Sequence, residues 1–378
     1  MESDKIKVIE VTTSKEMDKF VRFPFSLYKD NPFWTPPLIQ EEIDTLNKDK
    51  NPVFKNALGN YFLAIKRGKI VGRVAVMINW IEVKELKKNK VRFGWFDVVD
   101  DINVTAALMQ KVYSIGKNNG MEFIEGPVGF SNLDKAGMLI KGFEEMNTMI
   151  TWYNYPYYYE HFKKLGFKNL AVWVEYEIKL SSFEKSPEKI KKFSNLMLKR
   201  YHLKVLKFKS KKDILPYVEQ MFRLLEETYG KLQTFVPIQK YQINQYKKKY
   251  FRYIHPDFIK CIVDKDNYLI AFSITMPSFT NALKKANGKT YPFGFFHLLK
   301  ALYFNNRASF YLIGVHPKFQ NKGVTAIIFN EMQKTFNKHG YNIVETNPEL
   351  EENSSIQNLW KNYNHRQHKK RLTVTKRL

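Results

Sequence analysis

The sequence predicts an α/β (α+β) protein made of two tandem domains of the same kind, each with a mixed central sheet flanked by helices. Three observations lead to this prediction. The chain has 378 residues, a length that suggests two domains. A helical segment followed by a short apolar strand ending in glutamate occurs twice. A strand, a tight turn and an amphipathic helix also follow one another at residues 310–338.

The repeat relates residues 120–127 to residues 340–348. The first stretch reads Gly-Met-Glu-Phe-Ile-Glu-Gly-Pro, and the second reads Gly-Tyr-Asn-Ile-Val-Glu-Thr-Asn-Pro. Each follows a helical pattern, at residues 106–118 and 324–338, and begins a short apolar strand. The copies lie about 220 residues apart (340 minus 120), which is typical of duplicated domains and too long for a solenoid.

Each half also contains a predicted β-hairpin that supplies further strands. Apolar runs joined by short polar turns lie at residues 61–65 and 70–78, and again at residues 258–263 and 268–276. A further strand is predicted at residues 171–180, and the polar stretch 181–189 has the composition of a linker. We therefore expect domains at residues 1–180 and 190–378.

The chain is strongly basic, with 62 lysine and arginine residues against 37 acidic residues and a formal net charge of +25. A solvated, lysine-rich surface is the plainest explanation. A more specific one is attraction to an anionic membrane surface or to tRNA, because both present phosphate groups. No segment resembles a dedicated nucleic-acid-binding motif, so we expect no nucleic-acid partner unless the protein uses tRNA.

Cysteine and histidine usage excludes several classes of site. A single cysteine rules out a disulfide framework and a cysteine-rich zinc site, and the eight histidines lack metal-ligand spacing, so no metal is expected. The N-terminus has no apolar signal-peptide core, and no run approaches the ~18 apolar residues that span a bilayer. We expect a bacterial cytoplasmic protein without a transmembrane segment.

The stretch from residue 310 to residue 338 predicts an anion site. Phe310–Val315 is an apolar strand, Pro317 ends it, and beyond Gly323 apolar residues recur with helical spacing. The first amides of the helix lack intrahelical partners and lie at the positive end of its dipole. Lys322 adds a full charge, and Gly323 lets a ligand approach the backbone closely. Such a turn suits a pyrophosphate.

These residues resemble a known motif. Val315-x-Pro317-x-x-Gln320-x-x-Gly323-x-Thr325 is similar to V-x-P-x-x-[Q/R]-x-x-G-x-[G/A], the acyl-CoA-binding motif of the GNAT superfamily of N-acyltransferases. Thr325 departs from the small residue at the last position and crowds the turn, although its hydroxyl can donate a hydrogen bond.

The first half resembles the same family without this motif. Residues 157–167 are similar to the late GNAT helix that carries L/Y-x-x-x-G-F. Residues 96–102, which correspond to the motif stretch, lack Gln/Arg-x-x-Gly and contain three acidic residues that would repel a pyrophosphate. The resemblance therefore implies two tandem GNAT-like domains, with the acyl-CoA motif only in the C-terminal one.

The resemblance also implies the co-substrate and its binding residues. The co-substrate is acetyl-CoA or another acyl-CoA, without a metal. In GNAT proteins the strand backbone before the motif polarises the acyl carbonyl, and the turn binds the pyrophosphate. The residues implied here are Ile313, Gly314, Val315, Gln320, Asn321, Lys322, Gly323, Val324, Thr325 and Asn353.

Two residues are candidates for the chemistry. Glu345 ends the strand of the second repeat and is our candidate for the base that deprotonates the amine, although a salt bridge or a helix cap explains a strand-end glutamate equally well. The tyrosine that usually protonates the leaving thiolate in GNAT proteins is replaced by Trp360, whose indole donates only through N–H. Tyr363 lies close on the same helix face and is the substitute, with core packing as the alternative.

We expect an acyl-CoA-dependent N-acyltransferase that acts on an amine of a small molecule or peptide. Among acyl groups, acetyl is the one expected first. A rival is a Fem-like transferase, which takes its acyl group from aminoacyl-tRNA and is favoured by the positive charge. A third possibility, motivated by Trp360, is a degenerate CoA-binding or interaction module without activity. An apolar helix within residues 293–304 is expected to shield the acceptor site, because about three turns give little apolar face for firm membrane binding.

Overall fold

The computed structural model describes residues 4–131, 133–185, 187–230, 235–250, 255–353, 357–358 and 360–378, leaving out the side chains of residues 248–250. The chain forms two compact units. Unit 1 comprises Met1–Trp173, Phe279–Leu299 and Lys369–Leu378, and unit 2 comprises Val174–Ser278 and Lys300–His368. The predicted domains are continuous stretches of sequence, whereas each unit groups residues that contact one another in space. Two segments from beyond residue 190 therefore belong to unit 1.

Strands and helices are interspersed along the described residues. The strands are β1 (Lys7–Glu10), β2 (Ala57–Lys66), β3 (Lys69–Asn79), β4 (Lys90–Val98), β5 (Phe123–Gly126), β6 (Met138–Lys141), β7 (Lys168–Lys179), β8 (Lys204–Val205), β9 (Ile259–Val263), β10 (Leu269–Pro277), β11 (Arg307–Val315), β12 (Ile343–Glu345), β13 (Glu349–Leu350) and β14 (Asn364–Arg377). The helices are α1 (Ser14–Leu27), α2 (Ile39–Leu46), α3 (Trp80–Lys84), α4 (Ile102–Asn118), α5 (Tyr157–Lys164), α6 (Glu188–Arg200), α7 (Leu215–Tyr229), α8 (Lys240–Tyr250), α9 (Thr280–Ala286), α10 (Gly294–Tyr303) and α11 (Thr325–Lys338).

The sheet of unit 1 runs in the order β1-β2-β3-β4-β5, and the end of β14 pairs with β5. Strands β4 and β5 are parallel and the other neighbours are antiparallel, so the sheet is mixed. The hairpin of β2 and β3 turns at Arg67 and Gly68, both with positive φ (49° and 70°), which suits a two-residue hairpin turn. Helix α4 buries Val104, Leu108 and Val112 in the core of this unit.

The sheet of unit 2 runs from the end of β7 through β12, β11, β10 and β9 to β8. Strands β11 and β12 are parallel and their neighbours are antiparallel, so this sheet is also mixed. Helix α11 buries the predicted apolar positions Ile328, Met332 and Phe336, and α6 packs against it. The predicted fold class is confirmed in both units.

Details of the predicted elements changed at their ends. Both hairpins are confirmed with slightly longer or shifted strands. Helix α6 begins at Glu188, inside the stretch predicted as a linker. Two residues of the predicted final helix, Ile356 and Leu359, lie outside the described residues. Among the helices of the described ranges, none has the length and apolar character needed to cross a membrane.

Candidate active site

In unit 2, strands β11 and β12 separate partway along their length. They pair from Arg307 with Ile343 to Ser309 with Glu345, where β12 ends while β11 continues to Val315. On the other side of β11, Tyr311 is an extra residue, because Ile274 pairs with Leu312 and Thr275 with Phe310. The bulge and the early end of β12 open a cleft at the carboxyl end of parallel strands, where open α/β sheets bind ligands.

The edge of β11 that faces this cleft presents backbone amides. His316 donates its backbone N–H to the carbonyl of Ile270 next to β10 (2.8 Å). Because alternate residues of a strand point to opposite edges, the N–H groups of Ile313 and Val315 point away from β10, along the edge that β12 does not reach. Their carbonyls already accept bonds from Tyr229 Oη (2.7 Å) and Gln320 Nε2 (3.1 Å), respectively.

The turn from residue 320 to residue 324 leaves the start of α11 uncapped. Asn321 and Gly323 have positive φ (59° and 78°), and the N-cap residue Val324 provides no side-chain hydrogen bond. The backbone N–H groups of Gly323, Val324 and Thr325 have no acceptor among the residues that the structure describes. Successive amides in such a turn form a concave anion site at the positive end of the helix dipole.

Two aromatic groups shape the turn. Lys322 Nζ lies 5.6 Å from the centre of the Phe319 ring and 5.9 Å from that of Tyr201, a cation–π arrangement that holds the charge beside the amides. A Cβ added at Gly323 would lie 2.0 Å from a ring carbon of Phe193 on α6. Glycine is therefore required here by the positive φ and by the packing of Phe193, whatever ligand the turn binds.

Glu345, the predicted base, belongs to a buried ionic cluster. It lies opposite Glu177 of β7, and its Oε1 is 3.8 Å from Arg307 and 3.3 Å from His368 Nε2. Burial favours a raised pKa for the Glu177 carboxyl, but hydrogen bonds from Arg366 and Arg307 lower it below its ordinary value. The prediction that Glu345 accepts a proton from substrate stays a prediction, and ion pairs of the kind named as its alternative are present.

A second carboxylate, Glu349 on β13, has a different environment. Its Oε2 accepts a hydrogen bond from the Trp360 indole N–H (3.3 Å). Burial raises the pKa of Glu349 to about 8, although hydrogen bonds from Trp360 and Thr346 act in the opposite direction. Burial raises the pKa of Tyr229 to about 12, and the charge of Glu349 adds to this effect, so the two side chains interact electrostatically.

The other residues singled out in the sequence are Trp360, Tyr363 and Asn353. Trp360 is buried, and its ring packs against Phe329 (4.7 Å between centroids) and Phe310 (6.0 Å). Tyr363 does not lie on the helix face predicted for it: it lies in a bend just before β14, where its backbone N–H donates to the Trp360 carbonyl (2.9 Å). It is partly buried against the same core, and burial raises the pKa of its hydroxyl. Asn353 is exposed on the surface. The structure thus brings Ile313, Gly314, Val315 and residues 320–325 to one end of β11, and leaves the roles of Tyr363 and Asn353 as predictions.

Sequence reasoning missed Glu349 and Tyr229. Glu349 precedes Leu350, Glu351 and Glu352, so it reads as part of a solvated acidic run. Its spacing was an available signal, because residues 345 and 349 lie on the same side of an extended chain. Tyr229 closes a helix and carries no motif, and only the three-dimensional structure reveals its contact with Ile313.

One group of potential metal ligands lies elsewhere in unit 2. Ligand atoms of His255, Asp257 and His339 lie within 4.8 Å of one another. Asp257 Oδ2 already accepts hydrogen bonds from Lys338 Nζ (2.7 Å) and His339 Nε2 (2.9 Å). Despite partial burial, these contacts lower the pKa of Asp257 to about 2. The Asp257 carboxylate is therefore already paired with the Lys338 ammonium.

Comparisons with known proteins give two full-length relatives and a fold. The chain is 26% identical over 355 residues to Protein YghO of Escherichia coli, covering 91% of this chain and 88% of that protein. It is 23% identical over 368 residues to a bacterial ceramide synthase of Caulobacter vibrioides, covering 94% of each. No family model matches.

The solved structures agree on architecture. A tandem GNAT protein from the clavulanic acid biosynthesis pathway superposes with a TM-score of 0.56 at 8% identity, covering 99% of this chain and 98% of that one. At such low identity the likeness concerns the fold, and it extends over both units.

Proposed function

The chain has a tandem GNAT fold, and from that premise we propose that it is an N-acyltransferase that takes its acyl group from an acyl-CoA and transfers it to an amine. The observation that carries the proposal is the uncapped start of α11, with the amides of residues 323–325 beside the open edge of β11. A pyrophosphate suits the turn, and an extended amide-containing arm suits the strand edge.

The residues of unit 2 divide the binding of acyl-CoA between them. Gly323, Val324 and Thr325 would donate backbone hydrogen bonds to the pyrophosphate. Lys322, which lies over the rings of Phe319 and Tyr201, would add positive charge beside it. The amides of Ile313 and Val315 would pair with the arm that leads to the thioester. The corresponding turn of unit 1 has its own carboxylate at the helix start, so we propose a single acyl-CoA site in the chain.

For acyl transfer, an N–C bond forms as the C–S bond breaks, and the ammonium must lose a proton before it attacks. Glu349 is our first candidate for the group that takes this proton, directly or through water, because a pKa of about 8 suits a base that works near neutral pH. Glu345 remains the second candidate, and Tyr363 the candidate that protonates the leaving thiolate.

We propose an apolar, long-chain amine as the acceptor class. The support is the full-length similarity to a protein named as a bacterial ceramide synthase, since a ceramide is an N-acylated long-chain amine. The identity is 23%, so the class of acceptor is carried over and its exact structure is not.

The test combines binding and turnover. Calorimetry is expected to find one CoA site per chain, and turnover with acetyl-CoA and palmitoyl-CoA is expected with sphingoid bases ahead of polyamines and peptides. Tight CoA binding without turnover on any amine would favour the non-catalytic module. Turnover only with aminoacyl-tRNA would favour the Fem-like alternative, which the net charge of +25 supports. Absence of CoA binding would overturn the proposal.

A further inference from the structure

Residues 285–304, here called the aromatic segment, hold the most exposed large apolar side chains of the described protein. The exposed fractions are 77% for Tyr291, 71% for Phe293, 63% for Phe296, 74% for Tyr303 and 76% for Phe304. Within the described ranges, the next most exposed large apolar side chain is Leu196, at 53%. Grouped exposure of this kind marks an interaction surface, whereas single exposed apolar residues are ordinary.

The helical part of the segment collects these groups on one face. Phe296, Lys300, Tyr303 and Phe304 follow one another at spacings that place them on one side of a helix. The amide of Phe304 donates to the carbonyl of Lys300 (2.8 Å), so the helical turn continues past the end of α10. Ala301, on a different side, is buried. The helix therefore has an exposed aromatic face, and its expected role in shielding the acceptor site stays a prediction.

The charges of the segment all have one sign. Lys285, Lys289 and Lys300 are exposed, and none has an ion-pair partner in the part of the chain that the structure describes. No aspartate or glutamate occurs between Asp266 and Glu331, so the segment itself carries no negative charge. An anionic surface is the complementary partner.

We propose that the aromatic segment docks the protein on the surface of an anionic lipid bilayer. Aromatic side chains prefer the boundary between headgroups and acyl chains, and lysines beside them reach the phosphates. Helix α10 spans Gly294–Tyr303, about 15 Å by its rise per residue, which is half of the ~30 Å hydrocarbon core. Helix α10 therefore lies at the boundary between headgroups and acyl chains and does not cross the hydrocarbon core.

This inference stands apart from the proposed function, because it depends on exposure and charge alone. Docking would give the protein access to acceptors that stay in membranes, but the surface would bind lipid whether or not the chain transfers acyl groups. The two proposals can therefore fail separately.

The experiment is co-sedimentation of the full chain with vesicles of phosphatidylethanolamine and phosphatidylglycerol, and with vesicles of phosphatidylcholine alone. Wild-type protein is expected to sediment with the anionic vesicles, and Phe296→Ser/Phe304→Ser to lower the partition coefficient about tenfold. Lys285→Gln/Lys289→Gln is expected to lower it roughly tenfold at low salt, with little further loss on adding salt.

Matched variants test whether vesicle binding depends on the aromatic segment or on exposed apolar residues and positive charge in general. Leu215→Ser removes an apolar side chain that is 47% exposed outside the segment, and Lys163→Gln/Lys164→Gln removes two exposed lysines of α5. Both are expected to bind vesicles as wild type does, and circular dichroism checks that every variant is folded. Wild-type protein that stays in the supernatant, or a Phe296→Ser/Phe304→Ser variant that binds normally, would overturn the proposal. So would a wild-type dimer in sedimentation velocity that this variant disrupts while vesicle binding is absent.

Discussion

Each unit leads a strand into a helix through a short turn, and the two turns differ in what lies at the start of the helix. In unit 1 the Asp101 carboxylate accepts a hydrogen bond from the Asn103 amide (2.9 Å) and pairs with Lys66 (2.9 Å). In unit 2 no side chain caps α11. The same local architecture thus provides its own anion in one unit and leaves the place for an external anion in the other.

The strand edges next to these turns differ in the same way. At the end of β4, the backbone N–H of Val98 donates to Tyr158 Oη (2.9 Å), and its carbonyl accepts from Tyr157 Oη (2.7 Å). At the end of β11, side chains bond the carbonyls of Ile313 and Val315, and the amides remain directed to the cleft. The buried Tyr158 and the half-buried Tyr157 fill in unit 1 the edge that a ligand would occupy in unit 2, so the comparison predicts one binding unit and one structural unit.

The largest expected effect concerns the residue after the proline of each repeat, which is Glu349 in unit 2 and Val128 in unit 1. Glu349→Gln keeps the shape but cannot accept a proton, so kcat is expected to fall by roughly 10²–10⁴ while CoA affinity hardly changes. Steady-state kinetics of the variant measures this, beside Glu345→Gln. If Glu345→Gln carries the loss and Glu349→Gln does not, the ion-paired carboxylate is the base.

The second prediction gives unit 2 the feature of unit 1. Thr325→Asp places a carboxylate at the start of α11, where it is expected to weaken CoA binding by at least ~2 kcal/mol, about thirtyfold in Kd. Because an acidic residue favours a helix N-terminus, Tm should stay the same or rise slightly. Calorimetry and thermal melting measure the two effects, and unchanged CoA affinity would remove the turn as the pyrophosphate site.

Gly323→Asp tests the same turn with a steric effect added. The new Cβ would meet the Phe193 ring at 2.0 Å, so both CoA affinity and Tm are expected to fall. Gly340→Ala is the matched control, because Gly340 has a similar φ of 76° and open space around it. Its cost is expected to be about 1 kcal/mol of stability, without loss of CoA affinity.

The third effect appears in the pH dependence of stability. The pKa of Glu349 rises from its ordinary 4.5 to about 8 on folding, so between these values the folded state holds a proton that the unfolded state has lost. Stability is therefore expected to fall as pH rises from about 4.5 to about 8. Glu349→Gln should flatten this part of the profile in denaturant titrations, and an equally steep profile would contradict the buried carboxylate.

The smallest expected effect comes from removing, in unit 1, the helix cap that unit 2 lacks. Asp101→Ala removes the cap of α4 and is expected to lower the free energy of unfolding by about 1 kcal/mol. It should not create a CoA site, because the tyrosines still fill the strand edge beside it. Gln110→Ala is the control on the same helix, with an exposed side chain, and should change stability by less than about 0.5 kcal/mol. CoA binding gained at unit 1 would show that the cap alone separates the two turns.

The sequence predicted the parts of this molecule that depend on local patterns. The strand at residues 310–315, the turn at Gly323 and the helix after it follow from apolar spacing, proline and glycine, and all are present. The absence of an anion site at residues 96–102 stays a prediction that rests on the acidic residues there. The sequence did not indicate that Asp101 caps a helix or that Tyr157 bonds the strand edge, because these contacts appear only in the structure.

What the sequence could not provide depends on long-range contacts. The raised pKa of Glu349 arises from its burial in the folded core, while the indole of Trp360, eleven positions away in sequence, acts against it through a hydrogen bond. The segments Phe279–Leu299 and Lys369–Leu378 belong to unit 1 although they lie more than 100 residues beyond Trp173 in sequence (279 minus 173 is 106). No local periodicity indicates this. The exposed aromatic face of α10 was not predicted, because hydrophobicity alone does not say which side of a helix is buried.

The return of residues 369–378 to unit 1 has a consequence for biosynthesis. Val374 pairs with Gly126, a strand residue that leaves the ribosome 248 residues earlier (374 minus 126). At ~5–20 residues per second, β5 waits on the order of 10–50 s for this partner. During that interval the edge of β5 offers unpaired backbone groups to any other strand, which favours mispairing until β14 has been synthesised.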